Sequence, residues 1–317
     1  RIAPGPTPAQ SAPAPDLRLA DIVDPGRNGF GMLRLAMALA VLVSHSYWFT
    51  TGRTAAEPLH ALTGHSLGEH AVQVFFFLSG IMVAQSLLKS RSLIDYACAR
   101  ALRIFPALIV CVALTALLLG PAMSSLGLEA YLGGGTVAAY IVKTLSLSTG
   151  SATLPGVFAG LPLPHLVNMS LWTLKFEVLC YVALAGFGLA WQHFERLRPL
   201  LVAGLALFVA GIFIAEPKPI ESYGTIDNVR YFALFFFAGT LAFLVRRHLV
   251  LSWLALPPLL ALFVVTIGTR WGELSSALFL GYATLMIASI PLGAIGRFID
   301  QHDYSYGVYI YACPIQQ

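Results

Sequence analysis

Apolar runs close to twenty residues long recur along this chain, and they leave little choice of fold. A helix needs roughly 20 apolar residues to cross a bilayer. Runs of that order are read at 30–50, 71–88, 101–121, 168–191, 199–215, 229–246, 249–268 and 272–291, with a last segment from 304. The first, Phe30 to Thr50, carries an arginine and a histidine, Arg34 and His45. Ionisable groups at such depth cost a few kcal/mol each by insertion scales, so they face the bundle interior or a wet cavity and mark pathways and sites. Eleven positions at about 100° and 1.5 Å per residue put the two on one helix face, about 16 Å apart.

Composition supports the same class. Of 317 residues, 57% are hydrophobic and 11% charged, where a soluble domain carries about 25% charged residues. Mean hydropathy is +0.77. The alternating strands of about 10 residues that mark a transmembrane β-barrel are not seen. The expected fold is all-α, a polytopic transmembrane helical bundle of about nine to ten membrane segments. A net charge of +4 is what cytoplasmic loops of a membrane protein supply and carries no signal for nucleic acid. The four cysteines show no CxxC or Cys/His spacing, so no metal is expected and they are read as packing residues. His60, His65 and His70 recur every five residues, which places them on no common helix face, and they are read as solvated loop residues.

Residues 1–24, rich in Pro and Ala, have no apolar core for a signal peptide and read as a disordered tail. The expected division is a disordered cytoplasmic tail at 1–27 and a transmembrane domain at 28–317, whose last helix ends short, near Gln317. Lys and Arg concentrate in alternate loops, around Lys89–Arg103, Arg196/Arg198, Arg246/Arg247 and Arg297, together with Arg1, Arg18 and Arg27 in the tail. The intervening loops are poorer, with Arg53, Lys218 and Arg270. This asymmetry puts the N-terminus in the cytoplasm. It works best if the short run 135–148 is re-entrant or interfacial, since a crossing would move the Arg196/Arg198 loop outside. No internal repeat supports an inverted-repeat transporter.

Several groups could carry chemistry. Arg34 lies a turn inside the cytoplasmic end, where snorkelling is the bland alternative. His45 lies in the outer third beside Ser44 and Ser46. Ser79-Gly80, after the Phe75–Phe77 cluster, offers a small surface for close approach of a helix or ligand; without a G-x-S-x-G context Ser79 is weak as a nucleophile. Arg100 and Arg103, three residues apart, share a face at the cytoplasmic boundary. With Arg34 they make a plausible three-arginine anion site, since guanidinium binds phosphate in bidentate fashion. Glu177 is an intramembrane carboxylate that needs a proton, an arginine or a histidine. Its depth resembles that of His45, and a carboxylate partner would fix the imidazole tautomer. Lys175 points elsewhere on the helix. Tyr304 to Tyr311 also fit an aromatic belt.

These motifs together resemble the membrane-bound acyltransferase-3 family, whose bacterial members O-acylate surface glycans. The resemblance covers about residues 28–317. Arg34 and His45 match its arginine, ten residues, histidine motif. Gln73 to Gly80 is similar to FFxxSG, Arg100 to Pro106 to RxxRxxP, Leu171 to Glu177 to WSLxxE, and Ser305 to Tyr309 to SYxxY. Each motif is weak alone, but five in order on the expected helices are specific. Many members carry a histidine just before the proline of the last motif, where this chain has Ala312 before Cys313-Pro314.

The resemblance implies an O-acetyltransferase of the bacterial inner membrane, moving acetyl from acetyl-CoA to a hydroxyl of a surface polysaccharide or glycolipid. Arg34, Arg100 and Arg103 would hold the CoA phosphates. His45 would act as base or transient acyl acceptor, oriented by Glu177. Ser79, Trp172, Tyr306 and Tyr309 would line the channel. The rival reading is a small-molecule or proton-coupled transporter that uses the buried Arg, His and Glu as a relay.

Overall fold

The computed structural model describes residues 17–24, 28–53, 56–148, 153–215 and 225–317. Of the residues used in the charge asymmetry, Arg1, Arg27 and Lys218 lie outside them. Among the described residues the chain forms fifteen α-helices and no β-strand. They are α1 (Leu19–Ile22), α2 (Phe30–Thr51), α3 (Pro58–Thr63), α4 (Leu67–Lys89), α5 (Leu93–Leu114), α6 (Gly120–Met123), α7 (Leu128–Gly133) and α8 (Thr136–Leu145). There follow α9 (Leu174–His193), α10 (Arg198–Ile214), α11 (Thr225–Leu244), α12 (Leu256–Thr266), α13 (Gly272–Ala288), α14 (Gly293–His302) and α15 (Ser305–Gln316). A π-helical turn, Thr115–Leu119, joins α5 to α6, and a 3₁₀ turn, Ser170–Thr173, leads into α9.

The protein is multi-pass, but with fewer spans than expected. Among the described residues six helical stretches are long and apolar enough to cross a membrane, or seven if α13 and the start of α14, bent by 115°, form one span. The shortfall from nine or ten has local causes. Pro257 and Pro258 hold back the start of α12, because proline is favoured only in a helix's first turn, and Gly268 turns the chain with φ +74° soon after it ends. Pro291 and Gly293 (φ +58°) break the run 272–291 and deflect it into α14. The segment from 304 gives only twelve helical residues. The run 135–148 yields the ten-residue α8, whose rise of about 15 Å is half a hydrocarbon core.

Part of the stretch expected to be a disordered tail is ordered. Leu19 is fully buried, and its N–H donates to the Leu249 carbonyl at 3.1 Å, beside Ala20 N–H to Arg246 O at 3.1 Å. α1 is thereby stitched to the loop after α11.

α4 is the central helix and packs most extensively on α11 and α2. The α4–α11 crossing depends on two glycines. A Cβ on Gly80 would lie 1.9 Å from the Phe236 carbonyl oxygen, and one on Gly239 would lie 2.0 Å from that of Phe77. Either is an overlap with backbone that no side-chain shift relieves. Thr240 Oγ1 seals the crossing by donating to the Phe236 and Gly80 carbonyls at 3.1 and 3.3 Å. Beside it Phe76 stacks on Phe232 at 4.5 Å, and Phe176 and Trp172 close round the same ring at 5.0 and 5.5 Å. The close approach that Ser79-Gly80 offers is thus used by a helix.

α15 runs parallel to α2, with Asp303 beside Arg34 at one end and Gln316 bonded to Leu42 O and Ser46 Oγ at the other. Pro314 lacks an N–H and frees the carbonyl of Ile310. Asn168 Nδ2 at 2.7 Å and the Cys111 thiol at 3.3 Å donate to that carbonyl instead, which anchors α15 to α5 and to the segment before α9.

Gly80→Val and Gly239→Val are each expected to drive α4 and α11 apart. The measurement is membrane abundance and monodispersity after detergent extraction, where each should fall severely and Ser79→Ala should not.

Candidate functional site

The site is built on one face of α2 with α15 as its opposite wall. Near the start of α2, Arg34 Nη1 donates to Asp303 Oδ2 at 2.7 Å, and Arg103 Nη2 from α5 reaches the same oxygen at 2.5 Å. Asp303 Oδ1 accepts from the Ser305 hydroxyl at 2.5 Å and from its N–H at 3.3 Å. Burial acts to raise the Asp303 pKa, but the two guanidinium groups and the Ser305 hydroxyl outweigh it and hold the carboxyl below its usual range. Arg100 is not part of this pair. It donates to Ser86 Oγ at 3.3 Å and covers the Tyr181 ring at 5.8 Å. Tyr181 in turn donates to Glu177 Oε1.

Arg34, Arg103, Glu177, Ser79 and Tyr306 line an inner cavity of about 50 Å³. Tyr306 donates to the Ile104 carbonyl at 3.1 Å, with Arg103 over its ring at 5.9 Å. His45 lines a different, outer cavity of about 370 Å³, with Ser44, Trp48, Glu57, His60, Glu69 and Trp172. Arg34 and His45, on one face of α2, line two neighbouring cavities. They share Val72, Thr173 and Tyr309 as lining. The Tyr309 hydroxyl is fixed there, 2.8 Å from Thr173 Oγ1 and 3.0 Å from the Ser170 carbonyl to which it donates. A bulky ring held by two polar partners thus lies where the two cavities meet.

Glu177 does not meet His45. Its carboxylate belongs to the inner cavity and bonds Tyr181, one turn along its own helix. The group beside His45 is Cys313, whose Sγ is 3.8 Å from Nδ1 and accepts from Ser170 Oγ at 3.5 Å. Nε2 is thus the nitrogen left for the cavity. Lys175 caps the Phe176 ring at 4.8 Å, away from Glu177.

Sequence reasoning passed over four acidic residues. Glu57, 4% exposed, accepts from Ser44 Oγ at 2.7 Å and from Leu67 N–H at 2.6 Å, which folds the α2–α3 loop over the outer cavity. Glu69 is half of a capping box with Ser66, a pattern legible as Ser-x-x-Glu. Glu273, at the start of α13, meets His65 Nε2 at 2.6 Å, and Glu69 lies 3.8 Å from Nδ1. His65 is therefore no solvated loop residue. His70 is also buried, between Thr63 Oγ1 at 3.2 Å and Gln73 Oε1 at 3.0 Å. Asp303 had one signal available, an acid two residues ahead of a helix-starting serine. Among the described residues no three His, Cys, Asp or Glu side chains are grouped to hold a metal ion.

Comparison with known proteins gives a consistent result. A family profile described as an acyltransferase domain matches residues 27–315. An O-acetyl transferase of Shigella phage Sf6 is 32% identical over 306 residues, covering 92% of this chain and 85% of that protein. Nodulation protein 10 of Rhizobium leguminosarum bv. viciae is 28% identical over 308 residues, covering 90% of this chain and 82% of that protein. No solved structure matches.

The His65 network generates a pH dependence. Burial works against the imidazolium, but its hydrogen bond to Glu273 and the negative charges of Glu273 and Glu69 push its pKa from an ordinary 6.5 up to about 10. A raised folded-state pKa gives stability that is complete below about 6.5 and is lost as pH rises towards about 10. Between pH 7 and 10 the Tm of the detergent-solubilised protein should therefore fall. Glu273→Gln should start lower at pH 7 and fall less steeply; parallel curves would remove this network from the account.

Proposed function

The chain belongs to the acyltransferase family matched over residues 27–315, and from that membership we propose that it transfers an acetyl group from cytoplasmic acetyl-CoA to a hydroxyl of a surface polysaccharide or glycolipid. As an acyltransferase it leaves no place for the transporter reading of the same buried Arg, His and Glu. The phage relative's description as an O-acetyl transferase supports acetyl as the group moved. In this reading the enzyme is a protein of the bacterial inner membrane with its N-terminus in the cytoplasm.

The observation that carries the proposal is the pair of cavities along one face of α2, one headed by guanidinium groups and the other by imidazole. Arg34 and Arg103, with Arg100 behind Tyr181, hold the phosphates of CoA at the cytoplasmic mouth, where each guanidinium can give charge-assisted hydrogen bonds. The thin pantetheine arm passes through the inner cavity, along Ser79 and Tyr306, and brings the thioester to the seam at Thr173 and Tyr309. The acceptor hydroxyl enters the outer cavity between Trp48 and Trp172, whose indole faces suit the apolar face of a sugar ring. A volume of about 370 Å³ falls within the usual range for ligand sites, about 300–1,000 Å³.

Transfer is then direct. His45 Nε2 takes the proton of the acceptor hydroxyl as its oxygen attacks the thioester carbonyl carbon. The Tyr309 hydroxyl turns from the Ser170 carbonyl to donate to the developing oxyanion. The C–S bond breaks, the thiolate leaves, and the proton held on His45 is returned to it as the thiol. Cys313 and Ser170 take the orienting place at Nδ1 that a carboxylate was expected to fill. Glu177 balances charge beside the arginines.

General-base help is worth about 10²–10⁴ in rate. His45→Gln should therefore lower acetylation of the glycan, followed by mass spectrometry, by about 10²-fold or more at unchanged membrane abundance. Near-normal acetylation would remove His45 from the mechanism. Tyr309→Phe should weaken the seam, so that purified protein releases thiol from acetyl-CoA faster than wild type when no acceptor is present. Unchanged background hydrolysis would show that this hydroxyl does not close the passage.

A further inference from the structure

The two arginines assigned to the acyl donor already hold an anion. Asp303 offers one carboxylate oxygen to guanidinium groups from two different helices, at 2.7 and 2.5 Å. That is the arrangement a shared phosphate oxygen would adopt. The arginines are not saturated by it. Arg34 Nε is buried with no hydrogen-bond partner, and so is Arg103 Nη2, whose close approach to Asp303 lacks hydrogen-bond alignment. Buried donors left unmade are costly, and here they surround an existing anion with capacity for another acceptor. The cluster is also reachable, since Arg34, Arg103 and Asp303 keep 13%, 28% and 25% of their side-chain surface exposed.

Charge bookkeeping sharpens the point. Arg34 and Arg103 face Asp303, and Glu177 lines the same cavity, so two formal positive charges meet two negative ones. A phosphate approaching the arginines meets like charge as well as opposite charge. For the guanidinium groups to bind it fully, Asp303 has to release them. We propose that Asp303 is an exchangeable counter-ion, which holds Arg34 and Arg103 together in the free protein and gives them up to a phosphate oxygen of the acyl donor.

The exchange has a mechanical consequence. The same carboxylate holds the first residue of α15 through the Ser305 hydroxyl and N–H. Tyr309, the ring in the seam between the cavities, is one turn further along. Release of Asp303 by the donor loosens the start of the helix that carries Tyr309.

The proposal rests on the reading of Arg34 and Arg103 as donor-phosphate ligands, and the test separates the two. Binding of coenzyme A, and of inorganic pyrophosphate as a probe without the pantetheine arm, is measured by calorimetry on the full chain purified in detergent at low and high salt. Asp303→Asn removes the charge. Asp303→Ser does the same with a hydroxyl that can still cap α15, and serves if the amide variant is poorly produced. Both should bind coenzyme A and pyrophosphate more tightly than wild type, by about fivefold or more, as expected when an internal competitor is removed. Their affinity should fall more steeply with salt. Asp303→Glu, which keeps the charge, should not gain affinity. If the neutral variants bind no tighter while Arg34→Gln and Arg103→Gln bind more weakly, the arginines hold the donor and Asp303 is part of their frame, and the exchange is wrong. If Arg34→Gln and Arg103→Gln leave both affinities unchanged, the donor-phosphate reading fails and takes the exchange with it.

Discussion

A guanidinium group within an apolar bundle has to be paired, and the pairing of Arg34 organises much of this molecule. Its partner comes from almost 270 residues away, at the junction of α14 and α15, and is shared with Arg103 of α5. Three helices are tied at one carboxylate. Removing one member of a buried ion pair costs about 3–5 kcal/mol, less here because Asp303 keeps a quarter of its surface exposed. Once α15 is held there and again by Asn168 and Cys111 at the carbonyl freed by Pro314, it has to lie along α2. Everything that lines the two cavities between α2, α4, α9 and α15 follows from that alignment.

The partition between the cavities is a matter of polarity as much as of size. Val72 alone would make a soft apolar barrier. Tyr309, tied to Thr173 and Ser170 in an otherwise apolar interior, makes one that has to exchange hydrogen bonds to open. The inner side is small and rich in charge, and the outer side is larger and lined by tryptophans and carboxylates. In the proposed reaction this partition keeps water from the thioester until the acceptor hydroxyl is present.

Much of the outline could be read from the chain itself. Arg34 and His45 lie on one face of one helix because eleven residues are close to three whole turns, and the structure has them in neighbouring cavities along that face. Gly80 was legible as a point of close approach. Overcounting of spans came from runs apolar enough but interrupted by Pro257, Pro258, Gly268, Pro291 and Gly293, where hydropathy is blind to backbone geometry. Glu177 was assigned by depth, and depth along a helix says nothing about direction. One turn of rotation gave it to Tyr181 and the arginines instead of to His45. The acidic residues of the outer loops were missed because a short loop gives no sign of whether it folds back over a cavity.

By itself the sequence determined the class of solvent around this protein, its helical class, the face of α2 that carries Arg34 and His45 and, through five ordered motifs, its family. These are properties of spacing and composition, carried by neighbours along one chain. Only the tertiary structure decided that Asp303 sits in the fork between two arginines, that a thiol rather than a carboxylate meets the imidazole, and that Tyr309 lies between the two cavities. Those facts depend on which helix lies beside which and how each is rotated, and that is set by close backbone crossings, freed carbonyls and charges that have to find partners far away in the chain.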